Sequence, residues 1–174
     1  MAPAYFLDNQ PGPETLPHKG SPVSPETLKS LSIIITPISE QGPNLEARLK
    51  AIAKERGYPA DVRIDRFTSK PGSEGDQKAW ATERFHLDEV MWFTLRGGNF
   101  FDFRDLNENW IRVPIEANTL YITPGGLFHR YVTVDPQNAS ALLLCKGRSD
   151  FVHRKGQESD NHPVRLNFLQ GIRR

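Results

Sequence analysis

The chain has 174 residues, with 22 Lys and Arg against 21 Asp and Glu and a formal net charge of +1. This length predicts one domain, and the balanced charge excludes the basic footprint that sequence-independent nucleic-acid binding requires. No apolar run approaches the roughly 18 residues of a membrane span, and the first ten residues lack the pattern of a secretory signal. Cys145 is the only cysteine and cannot form an internal disulfide, so a reducing, cytoplasmic location is predicted.

The first third of the chain is rich in proline and predicts short elements. A strand is expected around residues 5–7, followed by an extended segment as far as residue 23. Ser24, Pro25 and Glu26 form a typical helix start, because a hydroxyl caps the first turn and proline fits its backbone angle. We therefore expect a short helix that ends at Leu31.

The next stretch predicts a strand, a longer helix and a second strand. The run at 32–38 is rich in β-branched residues and favours a strand. Asn44 is expected to cap the helix and Gly57 to end it. The apolar face of this helix comprises Leu45, Leu49, Ile52 and Ala53. A strand at 61–67, a polar linker at 69–76 and a helical turn at 77–82 complete this part.

From residue 85 onward, short apolar runs alternate with turn residues. The predicted strands lie at 90–95, 100–103, 110–114, 120–123, 128–134 and 141–145. Strands at such regular spacing are typical of an all-β sandwich or barrel. The polar stretch at 147–162 predicts a loop, and residues 163–168 predict a last strand or an edge segment.

Two of the five histidines are candidates for chemistry. His86 and His129 lie on predicted strands beside tight turns, whereas the others lie in polar, loop-like surroundings. Alternation along a strand predicts two faces that could line a site. One comprises Arg84, His86, Asp88, Val90, Trp92 and Thr94, and the other comprises Leu127, His129, Tyr131 and Thr133.

The segments around both histidines resemble cupin motifs. Pro124-x-Gly126-x-x-His129 resembles the second motif, and residues 84–90 with Gly97 line up with the first, H-x-H-x-x-x-E followed by Gly. The run FFDFRDLNENWIRVPIEANTLYITPGGLFHRYV at 100–132 and the opening YFLDNQPG are similar to the acireductone dioxygenases of methionine salvage. This resemblance covers nearly the whole chain and weakens only after residue 146.

The resemblance implies a mainly β fold, a cupin barrel (double-stranded β-helix or jelly roll) with a few N-terminal α-helices. A single domain would span 1–174. Within it, residues 1–82 would form an extension whose helices pack on the barrel, 83–146 would carry the core motifs, and 147–174 would form a divergent tail.

The family binds Fe²⁺ or Ni²⁺ through three His and one Glu, and this sequence departs from that set. The resemblance assigns two of the His ligands to His86 and His129, but the remaining His falls on Arg84 and the Glu on Val90. Arginine stays protonated and cannot ligate a cation, and valine supplies no anionic ligand. No cofactor is therefore expected. Any residual metal would be held by His86 and His129, with Asp88 as an optional third ligand.

A metal-free pocket of few polar groups within an apolar wall would suit a small molecule. Arg84 could hold a carboxylate or an enolate oxygen, and His86 and His129 could act as acid and base. The family's substrate-facing Arg falls on Trp92. The wall is predicted to comprise Val90, Trp92, Thr94, Leu127, Tyr131 and one or both of Phe101 and Phe103.

The first functional prediction is an enzyme that isomerises, cyclises, dehydrates or decarboxylates a small oxygenated metabolite without a metal, with secondary metabolism as its setting by analogy. The second is an Fe²⁺- or Ni²⁺-dependent dioxygenase with an unorthodox ligand set. The third is a non-catalytic cupin that binds a ligand or a partner. In each case we expect a monomer or a weak homodimer, and neither nucleic acid nor membrane as a partner.

Overall fold

The computed structural model describes residues 3–7, 20–68, 78–134 and 138–172. Most of the predicted extended segment at 8–19 and the linker at 69–76 lie outside them. The described elements are β1 (Tyr5–Phe6), α1 (Pro25–Ser30), β2 (Ile34–Pro37), α2 (Gly42–Glu55), β3 (Asp65–Thr68), β4 (Arg84–His86), β5 (Val90–Arg96), β6 (Asn99–Arg104), β7 (Trp110–Ile115), β8 (Thr119–Thr123), β9 (His129–Thr133), β10 (Ser140–Cys145), β11 (Phe151–His153), α3 (Gln157–Asp160) and α4 (Pro163–Ile172). No helix among these residues is long and apolar enough to cross a membrane.

The strands form two antiparallel sheets. One has the strand order β1-β7-β6-β9-β4-β11, and the other has the order β2-β8-β5-β10-β3. Because the chain passes repeatedly from one sheet to the other after β4, hydrogen-bonded neighbours such as β5 and β10 are far apart in the sequence, as in a jelly roll. The mainly β architecture confirms the predicted cupin barrel.

The first helix and the strand after it form much as predicted. Ser24 caps α1, and its hydroxyl accepts a hydrogen bond from the Thr27 amide at 3.2 Å. The following strand is shorter than the predicted run at 32–38, because Ser32 adopts a positive φ of 58° and extends the turn. β2 then pairs with β8 and forms the edge of the five-stranded sheet.

The second helix begins earlier than predicted. Asn44 is not its cap, because Gln41 occupies that position and the helix starts at Gly42. Pro43 lies in the first turn, where its fixed φ fits the helix and its missing N–H costs no hydrogen bond. Gly57 follows the helix with a φ of 73°, which agrees with the predicted stop.

Two apolar clusters surround the five-stranded sheet. The outer cluster joins α2 to that sheet and includes Leu45, Leu49, Ala53, Met91, Phe93, Leu120, Ile122, Leu142 and Leu144. The inner cluster lies between the sheets and includes Phe101, Phe103, Ile111, Val113, Tyr121, Leu127 and Tyr131. β5 and β8 therefore contribute apolar side chains on both faces, which leaves their inner faces to line the interior of the barrel.

The C-terminal segment differs from its prediction. Residues 163–168 belong to the helix α4 rather than to a strand, and the supposed loop at 147–162 contains β11 and α3. Arg165 on α4 donates a hydrogen bond to the Gly126 carbonyl oxygen at 3.0 Å, and Phe168 enters the inner cluster. Tertiary contacts thus decide the conformation of a segment whose local pattern is short and ambiguous.

A buried ionic group supports the strands behind the site. Asp102 on β6 accepts two hydrogen bonds of 2.7 Å from Arg112 on β7 and one of 2.8 Å from Arg130 on β9. The Asp102 carboxylate is fully buried. Breaking such a pair leaves a buried charge uncompensated, so these bonds hold the three strands in register.

Candidate active site

The strand register brings the candidate residues together. Arg84 on β4 lies directly opposite His129 on β9. Since side chains alternate along a strand, His86 shares the face of Arg84. The imidazole rings of His86 and His129 are stacked, with centroids 5.1 Å apart and an interplanar angle of 27°.

The turn between β8 and β9 holds the two motifs against each other. The Gly126 amide donates a hydrogen bond to the His86 carbonyl oxygen at 3.0 Å. A Cβ atom at Gly125 would lie 2.7 Å from the Leu87 carbonyl oxygen, a distance that side chains do not tolerate. Glycine is required here because the turn approaches the end of β4 so closely. The Pro-Gly-Gly sequence therefore sets the distance between the histidines.

Burial and one hydrogen bond fix the state of His129. Its Nδ1 lies 2.9 Å from the Leu127 carbonyl oxygen, which can only accept, so Nδ1 carries the proton and Nε2 carries the lone pair. Burial and the neighbouring His86 lower the pKa of His129 to about 3. The ring is therefore neutral at pH 7, and Nε2 is available as a proton acceptor.

His86 is also held neutral. Burial, together with the positive charge of Arg84, lowers the pKa of His86 to about 4. Its Nδ1 is buried and makes no hydrogen bond to the described residues. A polar atom buried without a partner costs free energy that a bound ligand could recover.

Arg84 is a buried cation without a counter-charge in the described part of the chain. Arg84 is only 8% exposed, and its Nε has no hydrogen-bond partner among the described residues. Nη1 donates to the Ala79 carbonyl oxygen at 3.3 Å, and the guanidinium lies 4.9 Å from the ring centre of Phe151. Burial lowers the pKa of Arg84 from its usual value. This arrangement favours the binding of an anion.

These groups line a cavity of about 200 Å³ between the two sheets. Its remaining wall is mostly aromatic and aliphatic. The lining residues are Phe67, Trp80, Arg84, His86, Val90, Trp92, Phe101, Thr123, His129, Tyr131, Leu143, Ser149 and Phe151. A small apolar cavity in which a few polar groups converge has the form of a small-molecule site.

Comparison with known proteins identifies the family. The model of the ARD/ARD' family matches residues 4–144. The chain belongs to this family. "Acireductone dioxygenase 1" of Coprinopsis cinerea is 32% identical over 97% of both chains, and "Acireductone dioxygenase 4" of Arabidopsis thaliana is 28% identical over 97% of this chain and 92% of the relative.

A solved acireductone dioxygenase has the same fold. The enzyme from Bacillus anthracis, described with a cadmium ion in its active centre, superposes with a TM-score of 0.65 at 15% identity. The match covers 86% of this chain and 95% of that one. At this identity the likeness supports the cupin fold of the chain and not the details of its site.

Among the described lining residues of the cavity, the possible metal ligands are the imidazoles of His86 and His129, and no carboxylate joins them. Within the described residues, no group of three His, Cys, Asp or Glu side chains is placed to hold an ion. Arg84 brings a positive charge beside the two imidazoles, and Val90 contributes only methyl groups. Two neutral imidazoles are a weak site for Fe²⁺ or Ni²⁺.

Asp88 does not supply the missing carboxylate. The predicted continuous strand from Arg84 to Thr94 is broken, because β4 ends at His86 and β5 begins at Val90. The bend at 87–89 turns Asp88 away from the cavity, and its carboxylate accepts a hydrogen bond from the Arg148 amide at 3.0 Å. The expected common face therefore excludes Asp88.

Three predicted wall residues lie outside the cavity lining. The Thr94 hydroxyl accepts a hydrogen bond from Trp92 Nε1 at 3.1 Å, and this bond fixes the orientation of the indole. Phe103 and Leu127 are fully buried in the inner cluster. The ring of Phe103 supports the imidazole of His129, with centroids 6.3 Å apart. These side chains position the wall instead of forming it.

Six lining residues were not predicted from the sequence: Phe67, Trp80, Thr123, Leu143, Ser149 and Phe151. Two of these are cross-strand partners of predicted residues, since Thr123 lies opposite Val90 and Leu143 lies opposite Trp92. A correct strand register would have found them. The position of Phe151 in the cavity wall could not be predicted from the sequence, because β11 lies in a polar stretch beyond the cupin motifs.

Proposed function

We propose that this member of the acireductone dioxygenase family is an enzyme that acts without a transition metal on a small oxygenated anion. The observation that carries the proposal is the buried guanidinium of Arg84, which has no counter-charge among the described residues, beside two neutral imidazoles. The chemistry is proton transfer next to a carbonyl group, as in isomerisation, cyclisation, dehydration or decarboxylation. The setting in secondary metabolism, the cytoplasmic location and the monomeric or weakly dimeric state remain predictions.

Arg84 is the anion anchor in this scheme. A guanidinium can donate two parallel hydrogen bonds to a carboxylate or to the two oxygens of an enediolate. The cavity lacks a competing carboxylate among its described lining residues, so the bound anion itself would compensate the charge. Binding would also offset the Coulomb effect by which Arg84 lowers the pKa of His86. The site therefore becomes a better proton acceptor when the substrate is present.

His129 and His86 exchange the proton with the substrate. With Nδ1 donating to the Leu127 carbonyl oxygen, His129 presents Nε2 as the base. It takes a proton from the carbon beside the carbonyl, and the electron pair of that C–H bond moves onto the carbonyl oxygen, where Arg84 stabilises the charge. His86, stacked at 5.1 Å, shares or returns the proton at the second position. The reaction is a proton transfer and needs no oxidant.

The apolar wall supports this chemistry by excluding water. Val90 and Trp92 occupy the positions that the family resemblance assigns to a metal ligand and to an Arg that faces the substrate. Val90 is 5% exposed and lies against the cavity. A dry wall strengthens the hydrogen bonds of Arg84 to an anionic intermediate.

A metal-dependent dioxygenase reaction is the second candidate. It is favoured by the names of the relatives, which are acireductone dioxygenases, and by the Fe²⁺ or Ni²⁺ that the family resemblance implies. His86 and His129 would be the ligands of such an ion. The third candidate is a non-catalytic cupin that only binds a ligand, and the Arg84 side chain alone would be sufficient for that binding.

Two measurements on the purified chain distinguish these functions. The first follows the exchange of carbon-bound hydrogen for deuterium in small keto acids by NMR, with chelator present. The second follows oxygen consumption with acireductone after Fe²⁺ or Ni²⁺ is added. We expect exchange that survives the chelator and no metal-dependent oxygen uptake.

Variants assign the roles. His129→Asn keeps a donor for the Leu127 carbonyl but has no basic nitrogen, so exchange should fall at least 100-fold while anion binding persists. Arg84→Gln should weaken binding. If the exchange rate of the wild type equals that of His129→Asn, the acid–base role is wrong. If oxygen uptake appears with one bound metal per chain, the dioxygenase reading replaces the proposal.

A further inference from the structure

The apolar end of the cavity consists mainly of aromatic rings at close range. Phe67 and Trp80 are in edge contact, with centroids 4.3 Å apart at 70°. Trp92 lies 5.6 Å from Phe67 and 5.0 Å from Tyr131, both tilted. Because these rings pack against one another, a further ring would lie against the edges and faces that they turn toward the cavity, in edge-to-face or offset contact.

The polar end is compact and positively charged. Arg84, His86 and His129 all contribute to it, and the ring of Phe151 lies against the guanidinium of Arg84, 4.9 Å from its central carbon. Phe151 lies beyond residues 4–144, the part of the chain that matches the family model. The β11 segment thus contributes to the polar end from outside the part that matches the family model.

The volume limits the size of the ligand. A cavity of about 150 Å³ with apolar walls accommodates one benzene molecule. The 200 Å³ found here therefore has room for one ring and a short acidic group. Most drug-sized ligands occupy sites of about 300–1,000 Å³.

We infer that the cavity binds a small aromatic carboxylic acid, with its carboxylate at Arg84 and its ring packed against the cavity-lining surfaces of Phe67, Trp80 and Trp92. This inference rests on the proposed function and names the class of substrate for the same site. An aryl group next to a keto or enol acid also makes chemical sense there, because conjugation with the ring stabilises the enol form that the proton transfer creates.

Tryptophan fluorescence can test the ligand class directly. Two of the three tryptophans, Trp80 and Trp92, line the cavity, while Trp110 lies outside it between Arg104 and Arg130. In a Trp110→Phe background, the remaining signal reports on the cavity. The probes are phenylacetate, cyclohexylacetate and phenylacetamide, which vary the ring and the charge separately.

We expect saturable quenching by phenylacetate, a dissociation constant about fivefold higher for cyclohexylacetate, and at least tenfold weaker binding of phenylacetamide. The Arg84→Gln variant should abolish the preference for the acid over the amide. Phe67→Leu, at a half-buried position, should reduce the preference for the aromatic ring while the acid still binds. Near-ultraviolet circular dichroism confirms that each variant is folded.

Equal or tighter binding of cyclohexylacetate would overturn the aromatic assignment, and equal binding of the amide would overturn the anion site. These failures are separate from failure of the proposed function. If phenylacetate binds as expected but no keto acid exchanges its protons, the ligand class stands and the acid–base reaction is wrong. If aliphatic keto acids exchange while phenylacetate fails to bind selectively, the ligand class alone is wrong.

Discussion

Arg84 and His129 lie opposite each other on neighbouring strands and share the face that lines the cavity. The guanidinium repels any further positive charge, the imidazole beside it is kept neutral, and both side chains are largely withdrawn from water. The pair is therefore costly in the ligand-free protein and favourable once an anion is bound. Functional sites commonly carry such a cost.

Replacing Arg84 by methionine should stabilise the ligand-free protein. The change removes a buried charge that has no counter-charge among the described residues and keeps a long apolar side chain in its place. We expect the free energy of unfolding to rise by about 1–2 kcal/mol, measured by urea denaturation at pH 7. The same variant should bind phenylacetate at least tenfold more weakly. A loss of stability would mean that Arg84 has a structural partner.

Acid should destabilise the protein through His129. The pKa of His129 is about 3 in the folded state, against about 6.5 in an unfolded chain, so the unfolded chain binds the extra proton as the pH falls below 6.5. This single group should cost about 2 kcal/mol of stability between pH 7 and pH 5. Urea denaturation across that range should give a shallower loss for His129→Asn. Identical slopes would contradict the neutral buried state.

The fold was largely predictable because the strands carry strong local signals. The run at 90–95 predicts β5, and the structure places a strand there. Gly97 has the positive φ expected of a turn, but the chain passes from it to β6 in the other sheet, so the predicted hairpin is wrong. The segment at 163–168 was not predictable in the same way. Its apolar residues fit a strand or a helix, and contacts of Arg165 and Phe168 with the barrel decide for the helix.

The polar centre of the site followed from the motifs, whereas much of its wall did not. His86, His129 and Arg84 stand at motif positions, and the strand pairing brings them together. Thr94 was expected in the wall because it lies on the same strand face as Trp92. Alternation along a strand, however, does not show where along the strand the cavity ends. Phe151 enters from β11, whose pairing with β4 has no signal in its own sequence.

Gly126→Ala should damage both stability and the site. Gly126 has a φ of 82°, and an added Cβ would lie 2.7 Å from the Val164 carbonyl oxygen and 2.8 Å from Phe168 Cβ. We expect a loss of about 2–4 kcal/mol in the free energy of unfolding, because backbone strain and a steric clash combine. The matched control is Gly98→Ala, where a Cβ meets nothing within 4 Å. If both variants lose equal stability, the contact between this turn and α4 is not what requires glycine.

Introducing the metal-ligand pattern of the acireductone dioxygenases into this chain should create a metal site. Arg84→His with Val90→Glu would surround the cavity with three imidazoles and a carboxylate, since both positions line the cavity beside His86 and His129. We expect the double variant to retain about one Ni²⁺ or Fe²⁺ per chain after gel filtration, and the wild type far less than one. A buried glutamate without metal is costly, so added Ni²⁺ should raise the melting temperature of the variant only. Stoichiometric metal in the wild type, lost in His86→Ala, would show that two imidazoles are sufficient here and would contradict metal-independent chemistry.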